Sequence, residues 1–230
     1  IRFWVKEFDI DGNRLDAADV MDFDYMKALR QTANEVKPDF WLMGEVIHGN
    51  YSRWANDDTL HSVTNYMLHK ALYSGHNDHN YFEIAHSLNR QFANGGIYQN
   101  IYTYNFVDNH DVNRLASFLK RPEYLKNCYT LMYTMPGVRS VYYGSEWGTK
   151  AEKREGDPAL RPCFEKPIEN ELTSYIGRLS AIRKSNKALC YGTFRSAFLT
   201  NKQCIMEREF EGKKVYVAIN ADEYPFTAYC

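Results

Sequence analysis

The sequence predicts an α/β protein with parallel strands that gives way, near residue 187, to an all-β segment. Three observations carry that reading. Amphipathic helical stretches alternate with short apolar runs up to about residue 186, three of those runs end in acidic residues, and after Asn186 three β-patterned stretches follow one another with no helix between them. Strands separated by helices pair in parallel through crossovers. A doubly wound sheet and a (β/α)8 barrel both satisfy the pattern. No Gly-rich phosphate fingerprint follows any strand, which weakens the nucleotide-binding version.

Residues 8–16 (FDIDGNRLD) read as a strand leaving a Gly-containing turn. Residues 22–37 read as a helix: Asp22 can cap it, Tyr25, Met26, Leu29, Ala33 and Val36 form one apolar stripe, and Pro38 follows its end. The run Phe40–Gly44 suits a strand buried on both faces, and residues 62–66 are a further strand candidate. Residues 80–93 form a second amphipathic helix, with Tyr81, Ile84, Ala85, Leu88 and Phe92 aligned. Residues 101–107 (IYTYNFV) are rich in β-branched and aromatic side chains and predict a strand. Pro122 opens a helix over 122–135, which Pro136-Gly137 ends, and 138–143 (VRSVYY) predicts another strand, stopped by Gly144. A helix over 171–186 places Leu172, Tyr175, Ile176, Leu179, Ile182 and Arg183 on one side. Residues 193–199, 203–210 and 214–220 predict consecutive strands, with a hairpin-like turn at Glu211-Gly212.

A chain of 230 residues can bury a sizeable core, and 44% hydrophobic with 25% charged residues is an ordinary globular composition. Lys+Arg at 28 against Asp+Glu at 29 gives no electrostatic reason to expect nucleic acid or an anionic membrane as partner. Aromatics reach 15%, which suits stacking on sugar faces, although a Tyr-rich core and surface is the plainer reading. The five cysteines (Cys128, Cys163, Cys190, Cys204 and Cys230) are odd in number and form no C-x-x-C. A zinc ribbon or disulfide framework is therefore not expected, and free thiols point to a reducing, cytoplasmic compartment. No secretory signal or membrane-spanning run is present, an absence of little weight because the chain opens on Ile1 rather than Met.

Three segments put an acid just past a strand: Gly12-Asn13-Arg14-Leu15-Asp16, Gly44-Glu45-Val46, and Phe106-Val107-Asp108-Asn109-His110-Asp111. In a parallel sheet or barrel all strand C-termini share one face, so acids distant in sequence can converge there. A single such Asp is more often a cap or turn residue. Three together suit glycosidic bond cleavage, in which one carboxylic acid protonates the leaving oxygen and one carboxylate attacks the anomeric carbon. The acid needs a raised pKa and the nucleophile a low one. Arg14, two residues before Asp16, shares its strand face and would keep Asp16 ionised, while the apolar run before Glu45 would desolvate that acid. His110 can donate to a sugar hydroxyl beside the third acid, although a strand-end His bonded to backbone is the ordinary alternative.

These segments resemble the α-amylase family, glycoside hydrolase family 13. The family's strand-4 motif G-x-R-x-D matches Gly12–Asp16, its strand-5 Glu matches Glu45, its strand-7 motif F-x-x-N-H-D matches Phe106–Asp111, and its strand-8 segment resembles 136–146. The resemblance covers roughly residues 5–185 and implies a partial (β/α)8 TIM barrel, strands 4–8, over residues 1–186, followed over 187–230 by the start of the family's C-terminal β-sandwich. It implies a retaining hydrolase acting on starch-derived α-glucans or maltooligosaccharides, with Asp16 as nucleophile, Glu45 as acid/base and Asp111 as the third carboxylate. Arg14 and His110 would complete the −1 subsite, His48 would border the +1 subsite, and Asp157 and Arg161 of GDPALRP would hold a neighbouring glucose.

The sequence departs from the family pattern in lacking anything that could supply barrel strands 1–3, and in Arg139 and Asn13, where the family often has Pro and an aromatic. Five strands cannot close an eight-stranded barrel, so the isolated chain is expected to aggregate or be inactive. No cofactor is required by the chemistry. A structural calcium ion, common in the family, would draw ligands partly from the absent region. A transglycosylase of the same family would use the same three acids, whereas a non-catalytic carbohydrate-binding or scaffolding relative would lack one or more of them. A metal enzyme built on His76 and His79 is disfavoured, because that H-x-x-H reads as a polar loop with no helix to align the imidazoles.

Overall fold

The computed structural model describes residues 1–229, so Cys230 lies outside the described residues. In chain order the main elements are helix α1 (Arg2–Phe8), strand β1 (Gly12–Leu15), α2 (Phe23–Val36), β2 (Trp41–Gly44), β3 (Ser62–Val63), α3 (Tyr66–Asn77), α4 (Tyr81–Phe92), β4 (Tyr104–Phe106), α5 (Leu115–Phe118), α6 (Tyr124–Thr134), β5 (Val138–Ser140), α7 (Asp157–Leu160), α8 (Glu171–Ser185), α9 (Lys187–Tyr191), β6 (Thr193–Leu199), β7 (Gln203–Phe210) and β8 (Lys213–Asn220).

Strands β1, β2 and β3 pair in parallel, as do β4 and β5, and a parallel bridge between Thr64 and Tyr104 joins the two groups. The five strands thus run in chain order with no reversal, the arrangement of a barrel wall rather than of a doubly wound sheet, which reverses at a switch point. A buried polar cluster holds the joint. Asn65 Nδ2 donates to Gln91 Oε1 at 2.8 Å and to Asn105 Oδ1 at 2.9 Å, and Asn105 Nδ2 donates to the Pro136 carbonyl at 2.7 Å. The helices cover the outer face. Asp22 caps α2 by accepting from the Tyr25 amide at 2.9 Å, and Asn170 caps α8 by accepting from the Thr173 amide at 3.1 Å.

Strands β6, β7 and β8 form a separate antiparallel sheet. Glu211 and Gly212, both with positive φ, make the two-residue turn between β7 and β8 that matches the twist of the hairpin. Two buried arginines donate to carbonyls at and just beyond the C-terminus of α6, and one of them also to a carbonyl of α9. Arg183 donates to the carbonyls of Tyr133, Met135 and Gly137 at 2.8–2.9 Å, and Arg208 to those of Thr134 and Leu189 at 2.6 and 3.1 Å. Cations at a helix C-terminus face the negative end of its dipole.

Several expectations need correction. Residues 2–8 are helical; Phe3, Trp4 and Phe8 pack on one another but stay exposed, and β1 begins only at Gly12. The strand at 62–66 is two residues long, and Tyr66 opens a helix instead. His76 therefore lies in the last turn of α3, buried, with Nδ1 against the Leu72 carbonyl at 2.7 Å and Nε2 against the Tyr81 hydroxyl at 2.9 Å. It is a core histidine, not a residue of a polar loop. The strands around 101–107 and 138–143 shrink to three residues each, because parallel pairing extends only as far as their partners run alongside. Tyr25 and Ile182, assigned to buried stripes, are about half exposed.

Candidate active site

The C-terminal ends of β1, β2, β3 and β4 bring four segments to one face. Asp16 follows β1, Glu45 follows β2, Tyr66 follows β3, and Asp108–Asp111 follow β4. The approach of the first two depends on Gly44. A Cβ there would meet the side chain of Leu60 and, at 2.8 Å, the Cβ of Ala18. Glycine lets the turn after β1 press against the end of β2, and the Ala18 amide then donates to the Glu45 carbonyl at 2.9 Å. Ala17 between them takes a left-handed conformation (φ 44°), a strained state for a residue with a side chain. Its amide donates to Glu45 Oε2 at 3.1 Å.

Arg14 bridges the two acids, with Nη1 on Asp16 Oδ1 and Nη2 on Glu45 Oε2 at 2.9 Å. A single guanidinium therefore spans the pair. Their surroundings differ: the Asp16 side chain is 79% exposed and that of Glu45 12%. The apolar surroundings expected of Glu45 are not what it meets. The cation of Arg14, the Ala17 amide and the Tyr66 hydroxyl, at 3.4 Å from Oε1, all face it.

On the other side, Asp111 is held by two cations or potential cations. His110 Nε2 lies 2.9 Å from Oδ2, and Arg161 Nη2 donates to Oδ1 at 2.9 Å. Asp157 opens α7 and pairs with Arg161 at 3.6 Å, so it reaches the acid only through that arginine. His48 is exposed in the loop beyond β2 and stands outside the bonded cluster.

Sequence reasoning gave no role to four residues that shape this site, Tyr66, Asp108, Asn109 and Arg114. Asn109 Nδ2 donates to the Tyr66 hydroxyl at 3.0 Å while its Oδ1 accepts from the amides of Asp111 and Val112 at 2.8 and 3.2 Å. Burial raises the Tyr66 phenol above its usual value, opposed by the Asn109 amide and reinforced by the Glu45 and Asp111 charges, so it stays protonated. The run from Asp16 through Arg14, Glu45, Tyr66 and Asn109 to the Asp111 backbone is continuous. Arg114, fully buried, anchors the rim: it donates to the carbonyls of Tyr143 and Leu160 at 2.7 and 2.8 Å and to Ser145 Oγ at 2.9 Å. Asp108 closes the β4–α5 loop by accepting from the Leu115 amide and Ser145 Oγ, both at 2.7 Å. Burial pushes the Asp108 carboxyl up, against these bonds and the Arg114 charge. Only the N-H-D part of that stretch carries a sequence signal, and nothing local distinguishes Asp108 or Arg114 from solvated charges.

The arrangement brings three carboxyl groups, those of Asp16, Glu45 and Asp111, to the same face of the parallel strands. Among the described residues no group of three or more His, Cys, Asp or Glu side chains is placed to hold a metal ion, and no helix is long and apolar enough to cross a membrane.

The family described as alpha amylase, catalytic domain, matches residues 1–173. An intracellular maltogenic amylase of Bacillus subtilis (strain 168) is 32% identical over 193 residues, covering 81% of this chain and 32% of its own. A cyclomaltodextrinase of Thermoanaerobacter pseudethanolicus is 27% identical over 231 residues, covering 95% and 38%. A solved cyclomaltodextrinase superposes with a TM-score of 0.85 at 25% identity, over 95% of this chain and 38% of that one. The chain thus spans about a third of the length of the curated relatives it matches.

Proposed function

Since the chain belongs to the alpha-amylase catalytic-domain family, we propose that it supplies the reacting groups of a retaining glycosidase that cleaves α-glucosidic bonds in α-glucans, maltooligosaccharides or cyclodextrins. The observation that carries this reading is the unbroken hydrogen-bonded run linking Asp16, Glu45 and Asp111 across the ends of three parallel strands.

In this mechanism Asp16 attacks the anomeric carbon as Glu45 protonates the departing oxygen, giving a covalent glycosyl-enzyme. Glu45, now a carboxylate, takes a proton from water as that water displaces Asp16. The two carboxyl groups of a retaining pair stand about 5 Å apart, a separation of the order that one bridging guanidinium spans. Arg14 stabilises the ionised nucleophile before attack and shares its charge with Glu45 once the acid has given up its proton. Asp111 and His110 grip ring hydroxyls, with Arg161 holding the Asp111 carboxyl in place. His48 borders the leaving-group side, and Asp157 with Arg161 borders the next sugar on the other. No cofactor is needed for these steps. The thiols of Cys128, Cys163, Cys190 and Cys204 are free, which supports a reducing, cytoplasmic setting, as does the relative described as intracellular.

Product analysis on maltose, maltodextrin, pullulan and cyclodextrin, with an Asp16→Asn control in the whole protein, tests the reading. Release of sugars with retained anomeric configuration is expected, and loss of more than about a thousandfold in rate in the variant. Full activity in Asp16→Asn would defeat the nucleophile assignment.

A further inference from the structure

We propose that Tyr66 is a positioning residue for the acid/base: its hydroxyl, oriented by Asn109, donates to Glu45 and couples that acid to the loop carrying Asp111. The inference rests on the reading of Glu45 as acid/base given above.

The geometry separates the two oxygens of Glu45. Oε2 is taken by Arg14 Nη2 at 2.9 Å and by the Ala17 amide at 3.1 Å. Among the described residues Oε1 is bonded to the Tyr66 hydroxyl alone, at 3.4 Å. Oε1 is therefore the oxygen left to give and receive the catalytic proton, and Tyr66 is the group beside it. The hydroxyl has little choice of direction. Asn109 donates into its oxygen at 3.0 Å, which leaves the phenolic proton to point outward, and Asn109 is itself locked by the Asp111 and Val112 amides. The ring is fixed edge-on against Phe106 at 4.9 Å and His69 at 6.2 Å. Behind it, Asn65 caps α3 while its amide is held by Gln91 and Asn105.

A donor aimed at Oε1 favours the carboxylate. Tyr66 then stabilises the anion that Glu45 becomes when it has protonated the leaving oxygen, and keeps Oε1 turned toward the bond being broken. The other charged or titratable groups around the pair are Arg14 and Asp16 from the β1 end, His110 and Asp111 from the β4 loop with Arg161 behind them, and His69 on α3. His69 is kept neutral by burial, and all six survive in the variants below.

The test reads Glu45 directly, by carbon-13 NMR titration of its side-chain carboxyl in the wild type, Tyr66→Phe and Asn109→Ser. Tyr66→Phe keeps the ring and its packing. The Glu45 midpoint is expected to rise by roughly half a pH unit or more in Tyr66→Phe, and in the same direction but by less in Asn109→Ser, which disorients the hydroxyl without removing it. In the whole protein the basic limb of kcat/KM should move to higher pH by the same amount while KM holds. A Glu45 midpoint that is unchanged or lowered in both variants overturns the proposal. Glu45→Gln separates the two levels: full activity on maltooligosaccharides in that variant defeats the acid/base reading, whereas lost activity there with an unmoved titration in both variants defeats only the role of Tyr66.

Discussion

Replacing Arg114 by Met removes one buried charge and should cost this chain more stability than any exposed ion pair. The guanidinium is fully buried, and its three donations run to the Tyr143 carbonyl, the Leu160 carbonyl and Ser145 Oγ. Its Cζ lies 4.0 Å from the centroid of the Tyr142 ring, and its charge offsets the buried Asp108 carboxyl. Methionine fills similar length but takes the guanidinium donor from the Tyr143 carbonyl, leaves the Leu160 carbonyl to the Tyr142 hydroxyl at 3.4 Å, and removes the cation that offsets Asp108. Removing one member of such a buried ionic network costs about 3–5 kcal/mol. At roughly 2–4 °C per kcal/mol for a chain of this size, the melting temperature should fall by about 6–20 °C. Lysine should not rescue it, because a point charge cannot reach carbonyls on two loops with the geometry of a fork. The comparison is Lys126→Ala, which breaks an exposed pair with Glu171 and should cost less than about 1 kcal/mol. Thermal unfolding followed by circular dichroism decides the matter. If Arg114→Met melts within about 2 °C of Lys126→Ala, the buried network is not what holds these loops.

His69 and His76 are both pushed down to about 4 by burial, against an ordinary value of 6.5, so between those pH values the unfolded chain takes up protons that the folded chain refuses. Stability should be full above about pH 6.5, decline as pH falls through that window, and level off below about 4; His76→Gln should shallow the decline in acid-unfolding curves, and an unchanged slope would contradict the assignment. Gly44→Ala should destabilise the chain by about 1–3 kcal/mol in urea unfolding, because the new methyl collides with Ala18 and the buried Leu60. It should also reduce activity by pushing the Asp16 turn away from Glu45, and wild-type stability and rate would show that the close approach is not needed. Treatment with EDTA should leave the melting temperature of this chain unchanged, and a clear drop would reveal a bound structural cation.

What could be read in advance follows from how local each signal is. The helices at 80–93 and 171–186 and the three C-terminal strands carry their burial pattern in their own residues, and the Glu211-Gly212 turn is written into two adjacent positions. Helix α3 is hidden because its buried face includes His69, Gly75 and His76, polar or small residues whose place in the core becomes intelligible only once Val107, Leu72 and Tyr81 are seen to bond the imidazoles. Helix α1 is hidden for the opposite reason: none of its residues is buried, so it has no core stripe to detect. At the site, the three acids stand out because each ends a strand-like run. Their surroundings do not, since Arg14 reaches Glu45 across a strand pairing and Tyr66 opens a helix just after a strand only two residues long. The expectation of an apolar pocket for Glu45 came from its neighbours in sequence, whereas the groups that face it come from other strands.

In a retaining mechanism on this site the sugar becomes attached at position 16. Incubating the whole protein with a fluorinated glycosyl donor that slows turnover of the covalent intermediate, followed by mass spectrometry of its proteolytic peptides, reads this out. One sugar mass on the peptide containing Asp16, absent in Asp16→Asn, is the predicted result. A label on Glu45 or Asp111 instead, or turnover with inverted anomeric configuration and no label at all, would contradict it.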